Sequence, residues 1–305
     1  AEGNLDLSKN GYAKIFELGI NSPEVLFAVE FKSSVIDHAY DAYVRPSGDT
    51  KELGKQVYSG FVPTSELVDS YEMAGDGGNF SWEKHGKDPY ANREPRFYAT
   101  ILYNGADWMG RKIESFVGGK DGYKAYENAG AAGTTVTGYY LRKYLIDGDK
   151  TWVTSGSGQD WIVLRYAEVL LNKAEALAME NWNKNSAEAL QALNDVRARV
   201  GLPARATADK ETFLEYVRHE RKVELAGEGF RYWDLRRWRL AEKVIDGQNV
   251  HGVKISKQSD GSFTYEQVDA DGGHKRIFYD RYYHFAIPES ERSNNSLCTN
   301  NDGWI

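Results

Sequence analysis

The chain has 305 residues, 41% hydrophobic and 27% charged, with a formal net charge of −7. That is enough apolar mass for a sizeable core, while the overall negative charge argues against nucleic acid as the main partner and no apolar run is long enough to span a bilayer. A single cysteine, Cys298, excludes an internal disulfide, and 20 tyrosines with 8 tryptophans suit half-buried packing as well as surfaces for amphipathic ligands.

The first residues, AEGNLDLSKN, have neither a basic leader nor an apolar stretch, so a signal peptide is removed, was never present, or lies upstream. Eighteen of the 30 glycines fall between Tyr40 and Asp160, which predicts a loop-rich region with short strands over residues 1–160. Within it, EVLFAVEF (Glu24–Phe31) and RFYATILYNG (Arg96–Gly105) read as strands, rich in Val, Ile, Phe and Tyr and closed by turn residues. Between them PTSELVDSYE (Pro63–Glu72) reads as a short helix capped by Thr64 or Ser65, with Leu67, Val68 and Tyr71 on one face.

From Trp161 onward the period changes to that of helices. Leu164, Ala167, Leu171, Ala174 and Ala178 form a stripe. Ser186 is placed to cap a second helix that ends at Gly201 with Pro203 just beyond. The pair predicts an αα-hairpin the size of one tetratricopeptide repeat, in a helical scaffold over residues 161–305 that closes in an irregular cap. A third helix starts near Asp209 and is broken by Gly227 and Gly229; a fourth carries Leu235, Trp238, Ala241 and Ile245 on one face. The tail has turn signals at SDGS and ADGG, a predicted strand RYYHFAIP, and an Asn-rich end.

Few enzyme signatures are present. The six histidines are scattered, with no metal spacing, and there is no nucleophile elbow, Walker loop or dinucleotide fingerprint. No cofactor is expected. A pair of glycosidase carboxylates leaves no linear trace, so that reading stays open among the 45 Asp and Glu. The segment VRHERKVELAGEGFRYWDLRRW (Val217–Trp238) carries six basic and four acidic residues, a mixed charge rather than a basic patch. Its i,i+3 pairs Arg221 with Glu224 and Asp234 with Arg237, and cations stacked on Trp233 or Trp238, point to scaffold rather than chemistry.

Four blocks, LRYAEVLLNKAEALA, ALNDVRARVGLP, the Val217–Trp238 segment and AIPESERSNNSLCTNNDGW, in this order, resemble the C-terminal half of the SusD/RagB family. Upstream, EVLFAVEF, PTSELVDSYEM and REPRFYATILYNGADWMGRKIE extend the resemblance over nearly the whole chain. It implies a mainly α fold in which tetratricopeptide-like hairpins support an irregular, loop-rich region with short strands. The implied role is non-enzymatic: a surface-exposed outer-membrane lipoprotein of Bacteroidota that binds oligosaccharide and closes over a SusC-like TonB-dependent transporter. Oligopeptide ligands occur in some members. The signal peptide, acylated cysteine and N-terminal repeats usual in the family do not precede Ala1, so the chain is either the C-terminal part of a member or a shortened relative. Other readings are a pure protein-interaction module and, less favoured, a glycosidase.

Contact residues vary within the family, so the candidates come from physics. Sugars stack C–H faces on flat rings and need polar edges for their hydroxyls. Aromatics in the irregular region beside polar residues are therefore the expected ligand-binding set: Tyr40, Tyr43 and Arg45 in DHAYDAYVRPSGD, then Tyr58, Trp82 and Trp108.

Overall fold

The computed structural model describes residues 11–126 and 134–304. It is 39% helix and 14% strand, and the strands are paired only two by two, so helices and irregular loops carry the architecture.

The helical half is built from small residues placed to let helices meet. Along Tyr166–Ala198, Ala167, Leu171, Ala174 and Ala178 are buried, and further on Ala189, Ala192, Leu193 and Val196 join the same core cluster. The two halves of this run are separate helices, because Asn181 has an extended backbone (φ −161°, ψ 95°). Its side-chain oxygen accepts the N–H of Lys184 at 3.2 Å, which caps the second helix. Lys173 meets Glu188 at 2.8 Å; fifteen positions along one straight helix would separate them by about 22 Å, so the chain reverses here. The cap is therefore Asn181, five residues before the expected Ser186. Asp209 caps the next helix, Lys210–Glu224, by accepting the N–H of Thr212 at 2.7 Å. Phe213, Leu214 and Val217 close the hairpin core.

Gly227 and Gly229 both have φ near +80° to +90° and turn the chain into the helix Phe230–Arg237. Arg239, also left-handed at φ 55°, separates it from Ala241–Ile245.

The expected fourth helix is thus two, and three further expected elements differ. Trp161–Arg165 is a strand, antiparallel to Val25–Val29, and the helix starts only at Tyr166. Arg96–Gly105 is mostly helix, Pro95–Thr100, because a proline at the first turn presets φ and needs no hydrogen bond there; only Ile101–Leu102 pairs, with Tyr140–Leu141. The RYYHFAIP segment holds a short 3₁₀ turn, Asp280–Tyr283, and no strand, because Arg236 takes the carbonyls of Tyr282 and Tyr283. Of one hairpin only the turn was expected: His251–Lys257 and Phe263–Asp269 pair at seven positions across SDGS. It docks closely on the loop before Tyr139. Gly138, at φ 78°, sits where a Cβ would lie 2.2 Å from the Val253 carbonyl.

The two sequence regions share their interior. Val68, Tyr71, Tyr90 and Phe97 pack with Val223, Val253 and Ile255 in one cluster. Beside it runs a chain of buried ion pairs that accounts for the charge in Val217–Trp238. Arg96 donates to Glu94 at 2.6 Å, Glu220 at 2.5 Å and Glu224 at 2.8 Å. Arg165 reaches Glu24, Glu224 and Glu228, and Arg197 reaches Glu72 and Glu220. The expected Arg221–Glu224 pair does not form: Arg221 donates to Asp234 at 2.8 Å, while Glu224 faces Arg96 and Arg165. Asp234–Arg237 does form, at 2.9 Å. Most of these charges are sealed from water, so they act as internal clamps and not as surface pairs.

Candidate functional site

The short helix Tyr40–Val44 stands on a buried base. Arg45, just past its end, donates to Asp41 at 2.7 Å and to the carbonyl of Asp149 at 3.0 Å. Its guanidinium lies 5.2 Å from the ring centroids of both Trp108 and Trp152. Trp108 in turn donates its indole N–H to Asp49 at 3.0 Å. Arg45 and Trp108 are thus sealed with all their chemistry directed inward, and offer no face to a ligand.

On this base the chain returns beside the helix. The N–H of Tyr58 donates to the Ala42 carbonyl and that of Gly60 to the Tyr43 carbonyl, both at 2.7 Å. The buried Ser59, left-handed at φ 47°, donates its hydroxyl to the Arg45 carbonyl at 2.9 Å. These three bonds lay the Tyr58 ring on the Tyr43 ring, with centroids 5.1 Å apart and planes 27° from parallel. Tyr43 and Tyr58 remain 46% and 47% exposed, and Phe61 next to them is more exposed still.

Next to the pair lies a cleft of about 720 Å³ whose wall includes Ala42 of this short helix and Ala39, which immediately precedes it. Polar groups converge on it. His38 accepts the Tyr40 N–H at its Nδ1 (3.2 Å), so its Nε2 carries the proton and donates to the Gln159 carbonyl at 3.0 Å. Lys55 donates to the carbonyls of Trp152 and Val153 and lies over the Trp152 ring. Asp37 rests on Gly156, where a Cβ would fall 2.4 Å from its carboxyl. A stacked apolar platform beside a cleft edged by an imidazole, an ammonium, a carboxylate and serine hydroxyls is matched to a ligand with flat C–H faces and many hydroxyls.

Tyr40 supports this arrangement from below. Its hydroxyl donates to the Lys143 carbonyl at 2.8 Å, and burial, then the charge of Asp41, push its ionisation far up, so it stays a neutral donor. Trp82 belongs to a different surface. Its indole donates to Asp69 at 2.9 Å, its ring meets Phe80 edge-on at 5.4 Å and Tyr265 at 6.2 Å. Burial raises the Asp69 carboxyl above its ordinary value despite that hydrogen bond. Of the six expected residues, then, the fold brings Tyr43 and Tyr58 into an open pair, puts Arg45, Trp108 and Tyr40 beneath or behind it, and sets Trp82 apart.

His38, Lys55 and Phe61 escaped the sequence reading. His38 sits within DHAYDAY and Phe61 three residues after Tyr58, so proximity was the available signal; nothing local marks Lys55, which is carried to the cleft by the fold. Among the described residues no group of three or more His, Cys, Asp or Glu is arranged to hold a metal ion, and no helix is long and apolar enough to cross a membrane.

Comparison with known proteins gives one consistent result. A model of the SusD family matches residues 23–304. A SusD-like protein of Bacteroides fragilis NCTC 9343 superposes with a TM-score of 0.76 at 25% identity, over 98% of this chain and 58% of that one. A SusD-like carbohydrate-binding protein from the same organism gives 0.69 at 25% identity, over 93% and 59%. The SusD-like protein P38 of Formosa agariphila is 32% identical over 133 residues, 40% of this chain and 25% of that protein. The chain thus spans well under two thirds of the relatives it matches.

Proposed function

This chain belongs to the SusD family, and we propose that it is the part of a glycan receptor that presents a sugar-stacking platform, with the Tyr43–Tyr58 pair as that platform and the cleft edged by His38, Asp37 and Lys55 beside it. The observation that carries the reading is the pair itself: two rings parallel within 27°, each about half exposed, held by backbone hydrogen bonds before any ligand arrives. Preformed aromatic faces spare the ligand the cost of ordering them. A SusD-like protein of matching fold is described as carbohydrate-binding, which supports the same class of ligand here.

In this reading the protein breaks no bond. It acts at the outer membrane, held there by a lipid anchor, and hands oligosaccharide to a SusC-like TonB-dependent transporter.

Isothermal titration against a panel of soluble neutral polysaccharides tests the proposal, comparing the parent chain with Tyr43→Ala and Tyr58→Ala. Saturable binding to one glycan class, weakened about tenfold or more in each variant with an unchanged circular dichroism spectrum, is the expected result; a tenfold loss corresponds to about 1.4 kcal/mol. Binding that survives both substitutions sinks the platform assignment. Release of reducing ends from a bound glycan would revive the glycosidase reading, and saturable binding of oligopeptides alone would replace the ligand class.

A further inference from the structure

A second cleft, of about 700 Å³, opens between the helix Phe230–Arg237 and the segment that follows the 3₁₀ turn, and shares no lining residue with the cleft beside Tyr43. Two open rings flank it: Trp233 and Phe285 are 55% and 57% exposed, with centroids 6.0 Å apart. Its floor is cationic. Arg236, only 9% exposed, donates to the Tyr283 carbonyl at 2.7 Å, to the Tyr232 hydroxyl at 3.0 Å and to the Tyr282 carbonyl, and lies 4.5 Å over the Phe285 ring. Every one of those acceptors is neutral. Arg239, left-handed at φ 55°, folds over the Tyr283 ring at 4.4 Å and reaches within 3.5 Å of His284 Nε2, and it too meets no carboxylate among the described residues. Arg237 is different, being neutralised by Glu175 and Asp234.

This departs from how the molecule treats its other buried cations. Arg45, Arg96, Arg165, Arg197, Arg221 and Lys143 each face at least one carboxylate. Arg93, like Arg236, meets no carboxylate among the described residues, but it is sealed in the core. A buried guanidinium without a counter-ion, at the floor of an open cleft in which no described lining residue is Asp or Glu, is a place where an anion is favoured.

The surroundings narrow the anion. A long polyanion such as nucleic acid is disfavoured by the net charge of −7. An extended peptide would need free backbone groups along the cleft, yet several of those in the 283–287 segment are taken: Asn301 donates to the Phe285 carbonyl, Trp304 to that of His284, and Asn300 accepts the Ile287 N–H. What remains for recognition is flat rings and guanidinium forks. Those fit a sugar ring that bears an oxyanion.

We propose that this cleft binds an acidic sugar residue, its carboxylate or sulfate ester held between Arg236 and Arg239 with His284 as a further donor, and its C–H face on Trp233. The choice of a sugar as carrier rests on the glycan-binding reading above; the demand for an anion does not.

The test is titration of the full chain with a galacturonate oligosaccharide and with a sulfated oligosaccharide, against a neutral oligosaccharide of equal length and against inorganic sulfate, at low and high salt. The acidic sugars are expected to bind at least about tenfold tighter than the neutral one, to weaken as salt rises, and to lose about tenfold in Arg239→Ala and in Trp233→Ala. Both side chains are exposed, and a circular dichroism check confirms folding. Preference for only one of the two acidic sugars identifies the oxyanion and upholds the proposal. Equal affinity for the neutral sugar, or acidic binding that both variants retain, overturns it. Inorganic sulfate bound as tightly as the sulfated sugar removes the sugar and leaves only an anion site, and an acidic peptide bound in its place overturns the ligand class. Tyr43→Ala and Arg239→Ala separate the two readings: neutral-glycan binding that survives Tyr43→Ala and Tyr58→Ala defeats the platform alone, and acidic-sugar binding that survives Arg239→Ala and Trp233→Ala defeats this cleft alone.

Discussion

Arg165 and Glu228 meet as a two-pronged pair out of reach of water, with Nε donating to one carboxylate oxygen and Nη2 to the other, both at 2.7 Å. They come from opposite sides of position 200, and through Lys143, Glu24 and Glu224 they join a strand end, a loop and two helical turns. Such pairs specify geometry more than they add stability, because desolvation offsets most of the attraction. Removing one partner is another matter.

Arg165→Met therefore takes one cation from each of the buried carboxylates Glu24, Glu224 and Glu228, leaving them Arg199, Arg96 and Lys143. A loss of about 3–5 kcal/mol is expected, read as a lower urea midpoint. Glu228→Gln, which keeps the shape and one acceptor, should lose less. Equal midpoints for Arg165→Met and the parent would refute the clamp.

The same network sets an acid limit. Burial by itself would raise Glu224, but Arg165 and Arg96 hold it down to about 2 against an ordinary 4.5. Arginines lower Glu72 as well, and Arg165 with Lys143 lowers Glu228. A carboxylate whose folded value is depressed contributes stability that is complete above the unfolded value and is lost as pH falls through the folded one, so these groups weaken the fold from about pH 5 downward. Glu224 accounts for about 3 kcal/mol of this. Glu94, raised by burial, runs the other way and offsets part of the loss. Urea midpoints measured across that range should fall steeply in the parent and more gently in Arg165→Met; a flat parent profile would show that these carboxylates titrate alike in both states.

Base and platform separate by substitution. Trp108→Ala empties a fully buried site under Arg45 and should cost about 3–5 kcal/mol. Tyr58→Ala removes a half-exposed ring and should cost no more than about 1 kcal/mol. Thermal melts of the two variants distinguish them, and a Tyr58→Ala loss as large as that of Trp108→Ala would make the tyrosine structural.

Close approach, and not only backbone hand, governs Gly138. Gly138→Ala must push against the Val253 carbonyl, whereas Gly148→Ala, also left-handed at φ 82°, meets open space. Gly148→Ala should cost about 1 kcal/mol from strain and Gly138→Ala clearly more. Similar melting temperatures for the two would mean that the hairpin yields to the added methyl.

Much of the helical half was legible because its signals are local. The alanine stripe, the helix start near Asp209 and the Gly227–Gly229 break each act within a turn or two of chain, and each stands where it was expected. Where two local signals competed, the weaker-looking one prevailed: Pro95 starts a helix in a stretch whose Phe, Tyr and Ile content reads as strand. Trp161–Arg165 has a pattern compatible with either period, and Val25–Val29 decides it by pairing. The His251–Lys257 strand carried an alternation of buried Val253 and Ile255, a signal present in the sequence and passed over.

The candidate site was legible only as a composition. DHAYDAYVRPSGD marks aromatics among polar residues, but Tyr43 and Arg45 are two positions apart on a short helix and its end, and nothing local says which of them faces out. That depends on Trp108, Trp152 and Asp149, which lie some 60 to 110 positions on and cover Arg45.

By itself, then, the sequence determined the helical character of the second half and the family to which the chain belongs, since these follow from short-range sterics, periodicity and long matching blocks. Only the tertiary structure decided which charges are clamps and which aromatics are surfaces. Burial and ion pairing depend on atoms distant in the chain and near in space, and a guanidinium beside a carboxylate is written identically to one that has none.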